Sequence, residues 1–331
     1  MLFNVAVTYP PEPADRQISL RYLENIATVR YLSDFSATER EKILKKADVL
    51  VAMSFSQSEI GLDELQTTDH LRFIQLVFSG ADNVPFDSIP ENVLIATNPG
   101  AFARPIAEHV LGMTLALAKS LLPKHRALSM GHFDQSGLNK ELNGKVCGII
   151  GLGGNGKAIA NIMCAIGMKV YGISSSGRTD IHVDFIGTGA DLEKVLKLSD
   201  VIVLSVPLTR HTHHLIGRRE LRWMKPDAIL INVARGSIVD QRALYRHLSE
   251  NESFGAGIDT WWSEPDANGA FRLEHPFFDL PNLIGSPHVA DHVPGTMSRA
   301  TEKAVENVKR FLLNGNVYGI LDPSDYRVKT P

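Results

Sequence analysis

Cysteine is nearly absent: Cys147 and Cys164 are the only two in 331 residues. One lies in an apolar strand-like stretch and the other in the helix-like run after it. Buried, reduced thiols are therefore expected, and a disulfide framework or a cysteine-built metal site is excluded. Charge of one sign is not in excess either. The 34 Lys and Arg against 37 Asp and Glu give a formal net charge of −3, with no basic footprint for nucleic acid. Apolar runs are short, none nearing the roughly 20 residues that span a bilayer, and no signal-peptide pattern opens the sequence. These absences predict a cytoplasmic globular protein with no metal and no nucleic-acid or membrane partner. At 331 residues and 44% hydrophobic content, two domains with their own cores are expected.

What the sequence does contain is a glycine turn in a telling frame. Val146-Cys-Gly-Ile-Ile-Gly-Leu-Gly-Gly-Asn-Gly156 reads as a buried strand and a tight turn, and Lys157 to Ile166 as the helix that follows. Gly151, Gly153 and Gly156 fit G-x-G-x-x-G, with Gly154 and Asn155 completing the cradle. The first glycine permits the turn, the second lets backbone approach a pyrophosphate, and the third lets helix and strand pack closely, so that phosphates face the helix N-terminus. Around it, strands alternate with helices. Strands are expected at 2–9, 28–32, 48–53, 72–78 and 93–97, making a small α/β domain of the first hundred residues. A long, almost wholly apolar helix from about Ile106 to Leu122 is expected to be buried. Beyond the glycine unit, strands are expected at 169–174, 201–206, 228–233, 254–259 and 282–285, with helices near 191–198, 218–224, 240–250 and 296–313. That order suits a doubly wound parallel sheet with the nucleotide at the carboxyl ends of its strands.

Those ends carry the chemistry. Asn232-Val-Ala leads into Arg235, Gly257-Ile-Asp259 leads towards Glu264, and Gly285-Ser-Pro leads into His288. An Arg, a Glu and a His on successive strand ends suit hydride transfer to a 2-keto acid. The planar guanidinium grips carboxylate and carbonyl oxygens and stabilises charge growing on the carbonyl oxygen. The imidazole gives or takes the hydroxyl proton, and the carboxylate orients the imidazole and favours its charged form. The histidines at 211, 213 and 214 sit in a polar turn and carry no metal reading, while Thr212 in that turn is a candidate cofactor contact.

Together these stretches resemble the D-isomer-specific 2-hydroxyacid dehydrogenase family, in a glyoxylate/hydroxypyruvate reductase-like form. The matching segments are Gly151 to Lys157, Leu204-Ser-Val-Pro-Leu-Thr209 with Thr212 to Ile216, Asn232 to Gly236, Gly257-Ile-Asp259 with Glu264-Pro265, and Ser286-Pro-His288; Asn98-Pro-Gly100 with Ala107-Glu108-His109 resembles the family's interdomain helix. The resemblance implies two doubly wound Rossmann-like domains with the active site in the cleft between them. Residues 1–97 and 292–331 would form a flavodoxin-like substrate-binding domain, and 98–291 the nicotinamide dinucleotide-binding domain. It makes Arg235 the substrate-binding arginine, His288 the acid–base and substrate-contacting group, and Glu264 its partner. It places Asp259 at the nicotinamide carboxamide, and Val206, Pro207, Val233 and Ala234 beside the cofactor. The loop Phe78-Ser79-Gly80 would take the substrate carboxylate on its backbone N–H groups, and a homodimer would form through 98–150.

No acid stands where an NAD-type sheet usually places one for the adenine ribose. The strand from Lys169 ends instead in Ser174-Ser175-Ser176-Gly-Arg178, and the first carboxylate is Asp180. Hydroxyls and a guanidinium suit a 2′-phosphate, and Ser-Gly-Arg resembles NADP-preferring members, so NADP is favoured over NAD. The expected activity is reduction of a small 2-keto acid. The alternatives are a dehydrogenase of a larger D-2-hydroxy acid and a nucleotide-binding corepressor or sensor on the same scaffold. Side chains around Ser54–Ser56, Phe78, Arg104, Trp261–Trp262 and the 266–274 loop are expected to set the substrate.

Overall fold

The structure is a computed structural model that describes residues 2–53, 55, 59–265 and 269–326. The chain divides into two compact units, residues 1–102 with 293–331 and residues 103–292. The sequence reading places these divisions at 97–98 and 291–292.

In the first unit, β1 (Phe3–Val7), α1 (Pro13–Leu23), β2 (Ala27–Tyr31), α2 (Ala37–Leu44), β3 (Val49–Ala52), α3 (Leu62–Leu65), β4 (Phe73–Leu76) and β5 (Leu94–Ala96) alternate. The strands pair in parallel in the order β2-β1-β3-β4-β5. β3 and β4 are buried at every position, as an apolar strand covered on both faces must be. Helix starts are set locally: Glu12 and Asp15 cap α1 reciprocally, and Ser36 and Glu39 do the same for α2.

The second unit opens with α4 (Ala103–Ala118) and α5 (Leu121–Ser129). The single long helix expected here is broken at Ser120, whose φ is +51°, and Pro123 sits in the first turn of α5, where its missing N–H costs no helix bond. Then come β6 (Val146–Ile150), α6 (Gly154–Ala165), β7 (Lys169–Ile173), β8 (Phe185–Gly187), α7 (Leu192–Leu198), β9 (Val201–Leu204), α8 (Arg218–Trp223), β10 (Ile229–Asn232), α9 (Gln241–Glu250), β11 (Gly255–Ile258) and β12 (Leu283–Gly285). All strands are parallel, in the order β12-β11-β10-β9-β6-β7-β8. β8 is an edge strand of three residues, too short for an alternating pattern to announce it. The chain steps from β6 to β7 and β8 on one side and then crosses to β9 on the other side of β6, so the switch point lies at the carboxyl end of β6, beside the glycine turn.

Burial corrects the expectation for α4. Ile106, Ala107, Val110, Met113 and Thr114 are buried, but Arg104, Glu108, Gly112 and Leu115 form an exposed stripe. The last helix, α10 (Thr296–Leu312), belongs to the first unit and buries Ala300, Ala304, Val305, Val308 and Leu312 along one face. Phe311 stacks on Phe73 of β4 at 4.5 Å, and Asn307 donates to Gln75 at 2.6 Å. Among the described residues, no helix is long and apolar enough to cross a membrane.

Candidate active site

The glycine turn follows directly from β6. Gly151 has φ +104°, and its N–H and that of Leu152 both donate to the carbonyl of Ile173 on β7. A Cβ on Gly151 would meet the Ser205 carbonyl oxygen at 2.5 Å, and one on Gly156 would collide with the carbonyl oxygen of Gly151. Gly153, the residue preceding α6, is different: a Cβ there would meet nothing within 4 Å. Two glycines are thus required by the protein's own packing, while the third faces open space at a helix N-terminus, as a cradle for a dinucleotide pyrophosphate requires. Gly154 and Asn155 form the first turn of α6. The end of β9 lies against the turn, since Val206 Cγ1 would sit 2.9 Å from a Cβ on Gly151. Thr212 shapes the loop beyond: its hydroxyl donates to Pro207 O at 2.5 Å and accepts from Thr209 N–H at 2.9 Å.

At the neighbouring strand ends, Arg235, Glu264 and His288 are brought together. Glu264 Oε2 lies 2.7 Å from Nδ1 of His288, and Glu264 Oε1 accepts the Trp261 N–H at 2.8 Å. Both side chains are partly exposed, at 37% and 41%. The His288 pKa is raised, first by its hydrogen bond to Glu264 and then by that carboxylate's charge, against burial and the charge of Arg235. Burial alone would raise the carboxyl of Glu264, but His288, the Trp261 N–H and the Arg235 charge outweigh it and hold it low. Arg235 is therefore felt at both partners. Its position is fixed from behind: Asn232 accepts from Ala234 N–H at 3.1 Å and donates to Arg235 O at 2.9 Å, closing the turn after β10. Gly236 leaves no room for a Cβ against the backbone of Trp261 and Trp262, so this turn packs directly on the segment leading to Glu264.

Asp259 is 1% exposed and anchors the His288 loop. Its backbone carbonyl accepts His288 N–H at 2.8 Å, Oδ1 accepts Val289 N–H at 3.0 Å and the Ser286 hydroxyl at 2.5 Å, and Oδ2 accepts Ala290 N–H at 3.2 Å. A carboxylate has about four acceptor sites, so one remains on Oδ2. His288 itself has φ +53°, a conformation that non-glycine residues seldom adopt. Asn232, Ser286 and the N–H of Trp261 are supporting groups that motif reading passes over, because backbone-closing contacts have no spacing signature.

The remaining candidates fall at three places. Beyond β7, Ser174 Oγ donates to Arg178 O and accepts Arg178 N–H, closing a turn through Gly177 at φ +63° that leaves Ser175, Ser176 and Arg178 exposed. Asp180 pairs with Lys157 of α6 at 2.5 Å. Val233 and Ala234 lie in the turn that Asn232 closes. Phe78, Ser79 and Gly80 follow β4 in the first unit, half-buried, with Ser79 Oγ donating to Asn98 O at 2.9 Å. Trp261 is 6% exposed, with its ring over Gly285 and its indole N–H on Ser286 O at 2.8 Å, so it is core rather than lining. Arg104 is exposed and pairs with Glu108. Ser54, Ser56 and residues 266–268 of the expected specificity loop lie outside the described residues. Cys147 is buried and its thiol is pushed well up by burial; among the described residues, no His, Cys, Asp or Glu group could hold a metal.

Sheet order and glycine turn define a dinucleotide-binding α/β protein. Residues 111–290 match the family model for the D-isomer specific 2-hydroxyacid dehydrogenase, NAD binding domain. The hydroxypyruvate reductase of Thermotoga maritima is 29% identical over 94% of this chain and 98% of its own. The glyoxylate reductase of Thermococcus gammatolerans is 32% identical over 84% of each chain. The D-lactate dehydrogenase of Aquifex aeolicus, solved with NAD and lactic acid, superposes with a TM-score of 0.72 at 27% identity, covering 94% of this chain and 95% of that one. Against the longer D-3-phosphoglycerate dehydrogenase of Methanocaldococcus jannaschii, 30% identical over 89% of this chain, the match spans 55% of that protein's length. The chain belongs to the D-isomer specific 2-hydroxyacid dehydrogenase family, whose members are NAD(P)-dependent oxidoreductases acting on CH–OH groups.

Proposed function

We propose that this protein reduces small 2-keto acids of the glyoxylate and hydroxypyruvate type, with NADPH preferred over NADH. The observation that carries the catalytic reading is the 2.7 Å contact of Glu264 with His288 Nδ1, with the charge of Arg235 acting on both. Gly151, Gly153, Gly154, Asn155 and Gly156 would cradle the pyrophosphate, with Val206, Pro207, Val233, Ala234 and Asp259 towards the nicotinamide. The bound nicotinamide supplies the hydride.

The protein's own groups do the rest. Arg235 binds the carboxylate and carbonyl oxygens of the keto acid and stabilises the charge that develops on the carbonyl oxygen, a charge-assisted contact of roughly 1.5–3 kcal/mol. His288, its Nδ1 engaged by Glu264, turns Nε2 to the substrate and gives its proton to that oxygen. Glu264 keeps the imidazole oriented and protonated between turnovers.

NADP preference is supported by the turn after β7. Ser175, Ser176 and Arg178 present hydroxyls and a guanidinium to solvent, and the charge of Asp180 is offset by Lys157. A homodimer through α4, α5 and the segment after them is supported by exposed apolar surface: Leu115 is 36% exposed, Leu121 53%, Leu122 38%, Leu128 55% and Met130 66%.

A panel of 2-keto acids followed by nicotinamide absorbance tests the reading. Glyoxylate and hydroxypyruvate should be reduced, faster with NADPH than with NADH at low cofactor. Turnover confined to bulkier keto acids would overturn the substrate assignment, and cofactor binding with no turnover of any keto acid would favour a sensor.

A further inference from the structure

Three side chains from three separate segments meet behind the His288 loop. His109 Nε2 on α4 lies 2.9 Å from Ser286 Oγ and 3.6 Å from Asp259 Oδ1, and Ser286 Oγ lies 2.5 Å from the same oxygen. A hydroxyl has one proton. Because Ser286 donates it to Asp259, its oxygen must accept from His109, which fixes the ring proton on Nε2. The donors therefore run in one direction, from His109 to Ser286 to Asp259.

What receives them is the group that holds the catalytic loop in its unusual shape. Asp259 takes the N–H groups of His288, Val289 and Ala290 on its carbonyl and carboxylate oxygens. His288 meanwhile keeps φ +53°, a costly backbone state for a non-glycine residue that persists only where the surroundings over-determine it. An Asp259 carboxylate free to rotate would release two of those three bonds. Ser286 stops that rotation from one side, and His109, partly buried with 25% of its side chain exposed, keeps Ser286 turned the right way.

We propose that His109 is a positioning residue for the reaction, acting through Ser286 and Asp259 on the loop that carries His288. The proposal rests on reading His288 as the acid–base group.

His109→Phe removes the donor, and His109→Gln keeps an N–H near the position of Nε2. In H109F, kcat with saturating cofactor should fall on the order of tenfold to a hundredfold, the range for partners that orient a reacting group from behind, with the KM for the keto acid little changed. H109Q should recover most of that loss, and Ser286→Ala, which cuts the chain from the other side, should reproduce the H109F effect. Wild-type kcat in H109F or S286A overturns the proposal, as do equal losses in H109F and H109Q when both melt like wild type. His288→Asn, assayed alongside, separates the two layers. Turnover lost in H288N but intact in H109F refutes the relay alone, whereas turnover surviving in H288N refutes the reading of His288 and the relay with it.

Discussion

The carbonyl oxygen of Gly151 occupies the place where a side chain at Gly156 would begin. The turn and the helix it feeds are in backbone contact there, whereas Gly153, between them, faces open space. The two positions therefore make opposite predictions. Gly156→Ala forces the turn apart and should lower stability by about 1–3 kcal/mol, the usual cost of overpacking. Gly153→Ala should melt like wild type yet bind NAD(P)H at least about tenfold more weakly, because its methyl enters only the open space in which the proposed site would seat the phosphates. Thermal melts beside a fluorescence titration of the cofactor check both.

On the proposed mechanism, Glu264 and His288 set the pH dependence. Glu264 holds the His288 pKa above its ordinary range, chiefly by their hydrogen bond. Reduction needs the proton, so kcat/KM for keto-acid reduction should hold through neutral pH and fall as pH rises through that raised pKa. Glu264→Gln removes the charge and should move the fall to lower pH, as a pH–rate profile would show. The linkage has the same sign. The raised His288 contributes stability that is fully present below its unfolded-state pKa and lost as pH climbs through the folded value. The depressed Glu264 contributes stability present above its unfolded pKa and lost as pH drops through the folded one. The pair therefore supports the fold most between the two, and Glu264→Gln should flatten that plateau in melting temperature.

Arg235→Lys keeps the charge but loses the planar fork. A loss of about 10²–10³ in kcat/KM is expected, the magnitude for removing a donor aimed at a developing oxyanion. Steady-state kinetics with glyoxylate check this, and a loss under twofold would remove Arg235 from the substrate site.

Much of this was legible in the sequence, and what was not has physical reasons. Apolar runs such as Val201–Leu204 and Ile229–Ile231 announce buried parallel strands, and the glycine spacing marks the turn because backbone contacts exclude a side chain at Gly151 and Gly156. Arg235, Glu264 and His288 were readable because strand ends place them. β8 was not, being three residues on an edge, nor was the break at Ser120, where an apolar pattern runs on across a left-handed residue. The apolar character of α4 reads as complete burial, yet the stripe through Arg104, Glu108, Gly112 and Leu115 stays exposed, since overall composition does not say how wide a face of the helix the core covers. The support from Ser286 and His109 depends on contacts across elements, which no local pattern encodes, and Asn232 closes its own turn through backbone groups that carry no residue signature.

Cofactor choice has its own test. Arg178→Ala should raise the KM for NADPH by about tenfold to a hundredfold, the worth of one charge-assisted bond, and leave the KM for NADH nearly unchanged. Equal effects on both would refute the 2′-phosphate assignment.

The exposed face of α4 and α5 predicts association. Leu122→Glu with Leu128→Glu places two carboxylates on that surface and should convert a dimer to monomers in sedimentation velocity, without unfolding. A wild-type protein that sediments as a monomer at micromolar concentration would contradict the proposed homodimer.

The most direct test is single-turnover reduction of glyoxylate by NADPH-loaded wild type and His288→Asn. The account predicts rapid oxidation of the bound nicotinamide in the wild type and a rate lower by about 10²–10⁴ in H288N, with NADPH still bound by both. Equal rates in the two proteins would contradict the assignment of His288 as the proton donor.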